Sequence, residues 1–154
     1  MFDEMVTFTH VLLGVLGTLF ALWVFVELLN ASEKNFGRIK FMSLMVPIFM
    51  VLTLIVGGYG YLAIYPAHKN IILKGPWPLS HGFFMETKEH VFFLLMLLGI
   101  YLPIVTRSAK ILTNNGLRIL GISVAVLIVF LGLFMEGFGS IIVKGLQEAL
   151  MVVK

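Results

Sequence analysis

Four long stretches without Asp, Glu, Lys or Arg dominate this sequence. They cover residues 5–26, 41–67, 91–106 and 119–135. A helix needs about 20 residues to cross a bilayer, and each stretch reaches that length once a turn of flanking residues is added. Because lipid offers the backbone no hydrogen-bond partners, the spans must be helical. The spans are predicted at about 5–29, 41–65, 84–106 and 117–136.

The composition excludes several classes of protein. Hydrophobic residues make up 60% of the chain and charged residues only 12%, against about 25% in soluble domains. The absence of cysteine excludes disulfides, thiolate metal sites, iron–sulfur clusters and covalent haem attachment. The basic residues occur singly near span ends, so no nucleic-acid partner is expected. The lipid bilayer is the first expected partner.

The connections between the spans predict an all-α, up-down-up-down four-helix transmembrane bundle in a single domain, residues 1–154. Gly75-Pro76-Trp77-Pro78 cannot continue a helix, and Asn114-Asn115-Gly116 is a turn signal. One end of the bundle carries all the arginines together with some lysines: Lys34, Arg38, Lys40, Arg107, Lys110 and Arg118. The positive-inside rule then places both termini outside the cytoplasm. We expect the inner (plasma) membrane of a prokaryote.

The tail, residues 137–154, permits three interpretations. Ile141, Leu146 and Leu150 recur at roughly helical spacing, with Lys144 and Glu148 between them. This pattern favours an amphipathic helix on the membrane surface. The alternatives are an extension of the fourth span and a segment that packs on a partner.

All four histidines are expected near the end of the bundle that holds the termini. His10 and His90 lie at similar depths in spans one and three, while His68 and His81 lie between spans two and three. Ionisable residues inside a span are costly and often mark function. For His10 and His90 two roles stay open: a ligand pair, or buried histidines that hydrogen-bond to their neighbours.

Helix faces add detail to the ligand hypothesis. His10 shares a face with Gly14 and Gly17, and this row of small residues predicts a slot for a flat porphyrin. Glu86 precedes His90 by one turn and is expected to orient its ring. The fourth span carries a further stripe of small residues that ends near the histidines and favours close helix packing: Gly121, Ala125, Gly132, Glu136 and Gly139.

Two imidazoles from two helices are typical of bis-histidine haem b ligation in a bundle. His10 and His90 are the predicted iron ligands. The haem propionates are expected to point outward, toward Lys69, Lys74, Lys88 or Trp77. Such a site transfers single electrons and is expected to exchange them with quinol or a cytochrome. The chain would then be an oxidoreductase or an electron-transfer subunit similar to a b-type cytochrome.

Two alternatives come from other classes. A divalent-metal site would draw on imidazole and carboxylate ligands that suit zinc, copper or iron: His10, His81, His90, Glu86 and Glu136. A non-catalytic small subunit would instead scaffold a larger membrane respiratory complex, or form a homo-oligomer. In that case Glu86, Lys88 and Glu89 would be interface contacts.

Some of these residues resemble two groups of small membrane proteins, the protoporphyrinogen oxidases of the HemJ type and the CopD-like proteins. The resemblance lies in His10 followed by Trp23, and in Trp77 followed by Lys88-Glu89-His90 and Tyr101. It implies a four-helix haem-binding membrane fold. In HemJ-type proteins a Trp precedes a His and Lys, whereas here the His follows the Lys. The resemblance therefore implies haem rather than the oxidase activity.

Overall fold

The computed structural model of the chain describes residues 2–152. Met1, Val153 and Lys154, which belong to the predicted domain and tail, lie outside the described residues. Within 2–152, four helices are long and apolar enough to cross a membrane. The predicted all-α four-helix bundle is confirmed, and the chain is an integral membrane protein.

Each span begins a few residues before its predicted start. The first and third spans end where predicted, the second ends two residues earlier, and the fourth ends later. The first two helices are α1 (Phe2–Leu29) and α2 (Phe36–Ala63). A short helix, α3 (Tyr65–Lys74), follows, and a π-helix (Ser80–Met85) then leads directly into α4 (Glu86–Thr106). A 3₁₀ turn (Ala109–Leu112) connects α4 to α5 (Asn115–Val152). Both ends of the described chain therefore lie at one end of the bundle, named here the terminal face.

The tail does not form a separate surface helix. It continues the fourth span without a break, so that α5 has 38 residues and a length of about 57 Å at 1.5 Å per residue. The apolar residues Ile142 and Ala149 of this extension are buried, because α5 packs there against α3 and the π-helix. The favoured surface helix is thus wrong, and the extension of the fourth span is correct.

The extension of α5, α3 and the π-helix together form a small cap on the terminal face. Tyr65, Ile72 and Ile142 are the buried residues of its own hydrophobic cluster. Gly75 lies directly against Ala149, and Gly145 against Ser80. These close approaches hold α3 and the π-helix against the extension of α5.

The core of the bundle is mainly apolar, and its helices meet at small or hydroxyl-bearing residues. Ser43 on α2 accepts a 2.7 Å hydrogen bond from the hydroxyl of Thr106 on α4, and both residues are fully buried. Gly132 on α5 lies against the Thr18 side chain of α1. The interpretation of the α5 glycines as packing positions is therefore correct for Gly132.

At the opposite face, one carboxylate ties the first two helices together. Glu27 at the end of α1 accepts hydrogen bonds from the Arg38 Nε at 2.9 Å and from the Asn35 Nδ2 at 2.7 Å. It also accepts a bond from the indole nitrogen of Trp23 at 3.2 Å. Trp23 thus helps to position the α1–α2 connection.

Candidate functional site

The His10 side chain lies between α1 and α2. Its Nδ1 is 3.1 Å from the backbone carbonyl oxygen of Thr53. The ring occupies the space in front of Gly57, since a Cβ added there would lie 2.5 Å from both Cε1 and Nδ1. Any residue larger than glycine at position 57 would displace the ring. The second helix thus positions His10 in two ways. The carbonyl oxygen of Thr53 contacts the ring, and the absence of a side chain at Gly57 leaves space for it.

Glu136 on α5 occupies a similar gap in α1. Its Oε1 lies 3.0 Å from the position of a Cβ on Gly14, and the methyl group of Thr53 lies 3.8 Å from the same point. The carboxylate is therefore directed into the bundle, one helical turn deeper than His10 along α1. Part of its surface remains exposed.

Lys88 is the third ionisable group of this cluster. Its Nζ lies 3.0 Å from the position of a Cβ on Gly139 of α5. The ammonium group interacts electrostatically with the Glu136 carboxylate and with His10. Lys88 thus places a positive charge within electrostatic range of an acid and an imidazole. His10, Lys88 and Glu136 are called here the charged site.

The charged site lies near the edge of the hydrocarbon core. At 1.5 Å per residue, its three side chains begin about 26–29 Å along their helices from the charged residues at the opposite face: Glu27, Arg107 and Arg118. The hydrocarbon core is about 30 Å thick. The charged site therefore lies close to the water boundary on the terminal face, where proton exchange with water is feasible.

His90 has the predicted depth but the opposite orientation. It is exposed, and its Nδ1 lies 2.7 Å from the backbone carbonyl oxygen of Glu86. Successive residues of a helix are about 100° apart, so Lys88 and His90 point about 200° apart around α4. Since Lys88 faces inward, His90 faces outward. The carbonyl of Glu86, rather than its exposed carboxylate, lies against the ring.

The expected porphyrin slot is not present beside His10. Glu136 and Thr53 surround the position of a Cβ on Gly14. Phe49 Cβ lies 3.4 Å from the position of a Cβ on Gly17, whose neighbours also include the Met50 side chain. These residues, with His90 facing outward, do not fit a bis-histidine haem within one chain. The small residues instead provide room for polar and apolar side chains of the neighbouring helices.

The other predicted ligands also lie apart from one another. Among residues 2–152, no group of three or more His, Cys, Asp or Glu side chains is placed to hold a metal ion. His81 is buried in the cap, where its Nδ1 is 2.9 Å from the Tyr65 hydroxyl. Trp77 is exposed in the cap, with the Lys144 Nζ 5.5 Å from its ring centroid. The structure thus offers no support for the alternative set that included His81 and Glu136.

The sequence interpretation missed the role of Lys88, which was assigned to propionates or to an interface. One signal does identify it as an inward-facing residue. Lys88 is in helical register with Leu95, Gly99 and Thr106, which are three of the five buried residues of α4. The role of Thr53 has no comparable signal, because its contribution to His10 is a backbone carbonyl.

Comparison with known proteins finds no relative: no family model, curated protein or solved structure matches the chain.

Proposed function

We propose that this chain is a proton-coupled membrane protein, in which the charged site takes up and releases a proton at the terminal face. One observation carries the proposal: His10, Lys88 and Glu136 come from three helices, point into the same end of the bundle, and interact electrostatically through Lys88. Ionisable groups in a span are costly, and many belong to proton or ion pathways. Imidazole and carboxyl groups are the usual proton carriers in proteins.

The lysine gives the site two states. Its ammonium group attracts an ionised Glu136 and repels a protonated His10. A proton on Glu136 removes the partner of Lys88, so a second proton on His10 would leave two unpaired cations in a partly dry environment, which is costly. The site therefore favours one exchangeable proton at a time, which passes between the acid and the imidazole.

Infrared difference spectroscopy of the protein in lipid nanodiscs tests this proposal. A shift of pH should produce the carbonyl band of a protonated carboxyl group, and Glu136→Gln should remove that band. Glu33→Gln is the matched control, because Glu33 is exposed in the connection at the opposite face. A spectrum that is unchanged in Glu136→Gln would make the charged site a purely structural ion pair.

Proton movement itself is measured in proteoliposomes that contain a pH-sensitive dye. A potassium diffusion potential should drive proton flux through the wild-type protein and not through Glu136→Gln. Gly137→Ala is the control, since a Cβ at that position meets no atom of the described residues within 4 Å. Equal flux through the wild type and Glu136→Gln would contradict a role for this carboxylate in transport.

We also propose that the terminal face lies outside the cytoplasm of a prokaryotic cell, because the arginine-containing connections lie at the other face. The chain has no cysteine, so single-cysteine variants report orientation directly. An impermeant maleimide should label Asn70→Cys in intact cells but not Glu33→Cys. The reverse labelling pattern would invert the topology.

Electron transfer through haem b, with quinol or a cytochrome as partner, stays a prediction. No contact described above favours it. A reduced-minus-oxidised absorption spectrum of the purified protein tests it, and a colourless protein from haem-replete cells would exclude it. Co-purification of a larger complex would support the scaffold alternative.

A further inference from the structure

Tyr65 and His81 form a buried polar pair in the cap. The Tyr65 hydroxyl lies 2.9 Å from the His81 Nδ1, and the exposed fractions of the two residues are 9% and 4%. Tyr65 begins α3, whereas His81 belongs to the π-helix that precedes α4. π-helical turns are rare and frequently occur at functional sites. The pair thus joins the two segments that lead from the cap into the bundle.

A second set of polar groups continues from this pair toward the charged site. The ring of Tyr61 stacks on that of Tyr65, with 5.5 Å between the centroids. Tyr61 also interacts with the carboxylate of Glu89. Glu89 directly follows Lys88 in α4, so the polar groups extend from the cap to the edge of the charged site.

Glu89 has an unusual environment. Its Oε1 is buried and has no hydrogen-bond partner among the described residues. A buried acceptor without a hydrogen-bond partner destabilises the folded protein, and a charged acceptor does so more strongly. Glu89 thus keeps one unused acceptor atom at the point where the polar groups reach α4.

We propose that His81, Tyr65, Tyr61 and Glu89 form the entry route by which protons from water at the terminal face reach the charged site. This inference rests on the proton-coupled function proposed above. His81 accepts the proton from the water side, and the two tyrosine hydroxyls pass it to Glu89, with a bridging water as the expected link between the hydroxyls. Glu89 then delivers it beside Lys88.

The chemistry of Tyr65 agrees with this role. Burial, followed by the nearby Tyr61, Glu89 and Glu86, raises the pKa of Tyr65 to about 12. The hydroxyl therefore keeps its proton at physiological pH. It can donate to Nδ1 of a neutral His81 ring and can accept from a protonated one, as a relay requires. The competing interpretation is a structural bond that only holds α3 against the π-helix.

Time-resolved infrared spectroscopy after a pH jump separates the two roles. In Tyr65→Phe the carboxyl band of Glu136 should reach the wild-type amplitude but rise at least about tenfold more slowly, because positioned proton-transfer groups contribute about 10²–10⁴-fold to rates. Tyr101→Phe is the matched control, since Tyr101 is exposed on α4 away from the route. Its rise should equal that of the wild type.

A second variant, Glu89→Gln, tests the route independently in case Tyr65→Phe does not fold. Glu89→Gln keeps the size of the side chain but cannot carry a proton, and it should slow the same band by a similar factor. Wild-type rates in both variants would overturn the route while the proposed function stands. If the Glu136 band does not titrate even in the wild type, both proposals fail.

Discussion

The imidazole of His10 fills the gap left by Gly57: a Cβ on that glycine would lie 2.5 Å from two atoms of the ring. Gly14 gives room to the Glu136 carboxylate in the same way. Polar side chains in this bundle thus lie where a facing helix has no side chain. This relationship explains Gly14, which the sequence alone assigned to a porphyrin slot. It can be tested by adding single methyl groups at glycines.

Gly57→Ala should destabilise the protein, whereas Gly58→Ala should not. The methyl group at position 57 collides with a ring that Thr53 also holds, and overpacking of this kind costs about 1–3 kcal/mol. At Gly58 no atom of the described residues lies within 4 Å of an added Cβ. The free energy of unfolding, measured by SDS titration in mixed micelles, compares them. Equal losses in the two variants would contradict the placement of His10.

Gly139→Ala should alter the charged site more than it alters stability. The added Cβ would lie 3.0 Å from Nζ of Lys88, which ends a flexible chain and can move by a few tenths of an ångström. We expect a loss below about 1 kcal/mol together with a shifted Glu136 carboxyl band in the infrared spectrum. Gly137→Ala, whose Cβ meets open space among the described residues, should leave both unchanged. A shift in Gly137→Ala alone would refute this prediction.

Lys88 and Glu136 should be coupled in a double-mutant cycle. Each single variant, Lys88→Met or Glu136→Gln, leaves one charge without its partner inside the bundle. Because both side chains are only partly buried, we expect a coupling energy of about 0.5–1 kcal/mol. The double variant should lose less than the sum of the single losses. Strict additivity would mean that the two charges do not interact.

Tyr65 should make stability depend on alkaline pH. Its pKa is raised from 10.0 to about 12 in the folded protein. Between these values the unfolded chain loses the phenolic proton while the folded chain keeps it, so the free energy of unfolding falls as pH rises. Below pH 10 the contribution is fully present. Thermal melts in detergent should show a steeper loss across this range for the wild type than for Tyr65→Phe, and parallel curves would argue against burial of the hydroxyl.

The sequence by itself determined the fold class. Uncharged stretches of the required length, separated by turn signals such as Gly75-Pro76-Trp77-Pro78, leave helices as the structure that satisfies the backbone in lipid. The same reasoning placed His10 and His90 at matched depths, because depth follows directly from residue count along a helix.

Only the tertiary structure decided which side of each helix faces inward. In a soluble protein the buried face is the apolar one, but in lipid both faces are apolar and the pattern loses this information. The predicted ligand face of α4, with Glu86 and His90, is exposed, whereas Lys88 and Thr106 face the bundle. The Tyr65–His81 pair was also not predicted. Its two residues are 16 positions apart in the chain and come together because α3 and the π-helix both pack on the extension of α5. Helix length thus follows from the chain alone, while orientation depends on how neighbouring helices pack.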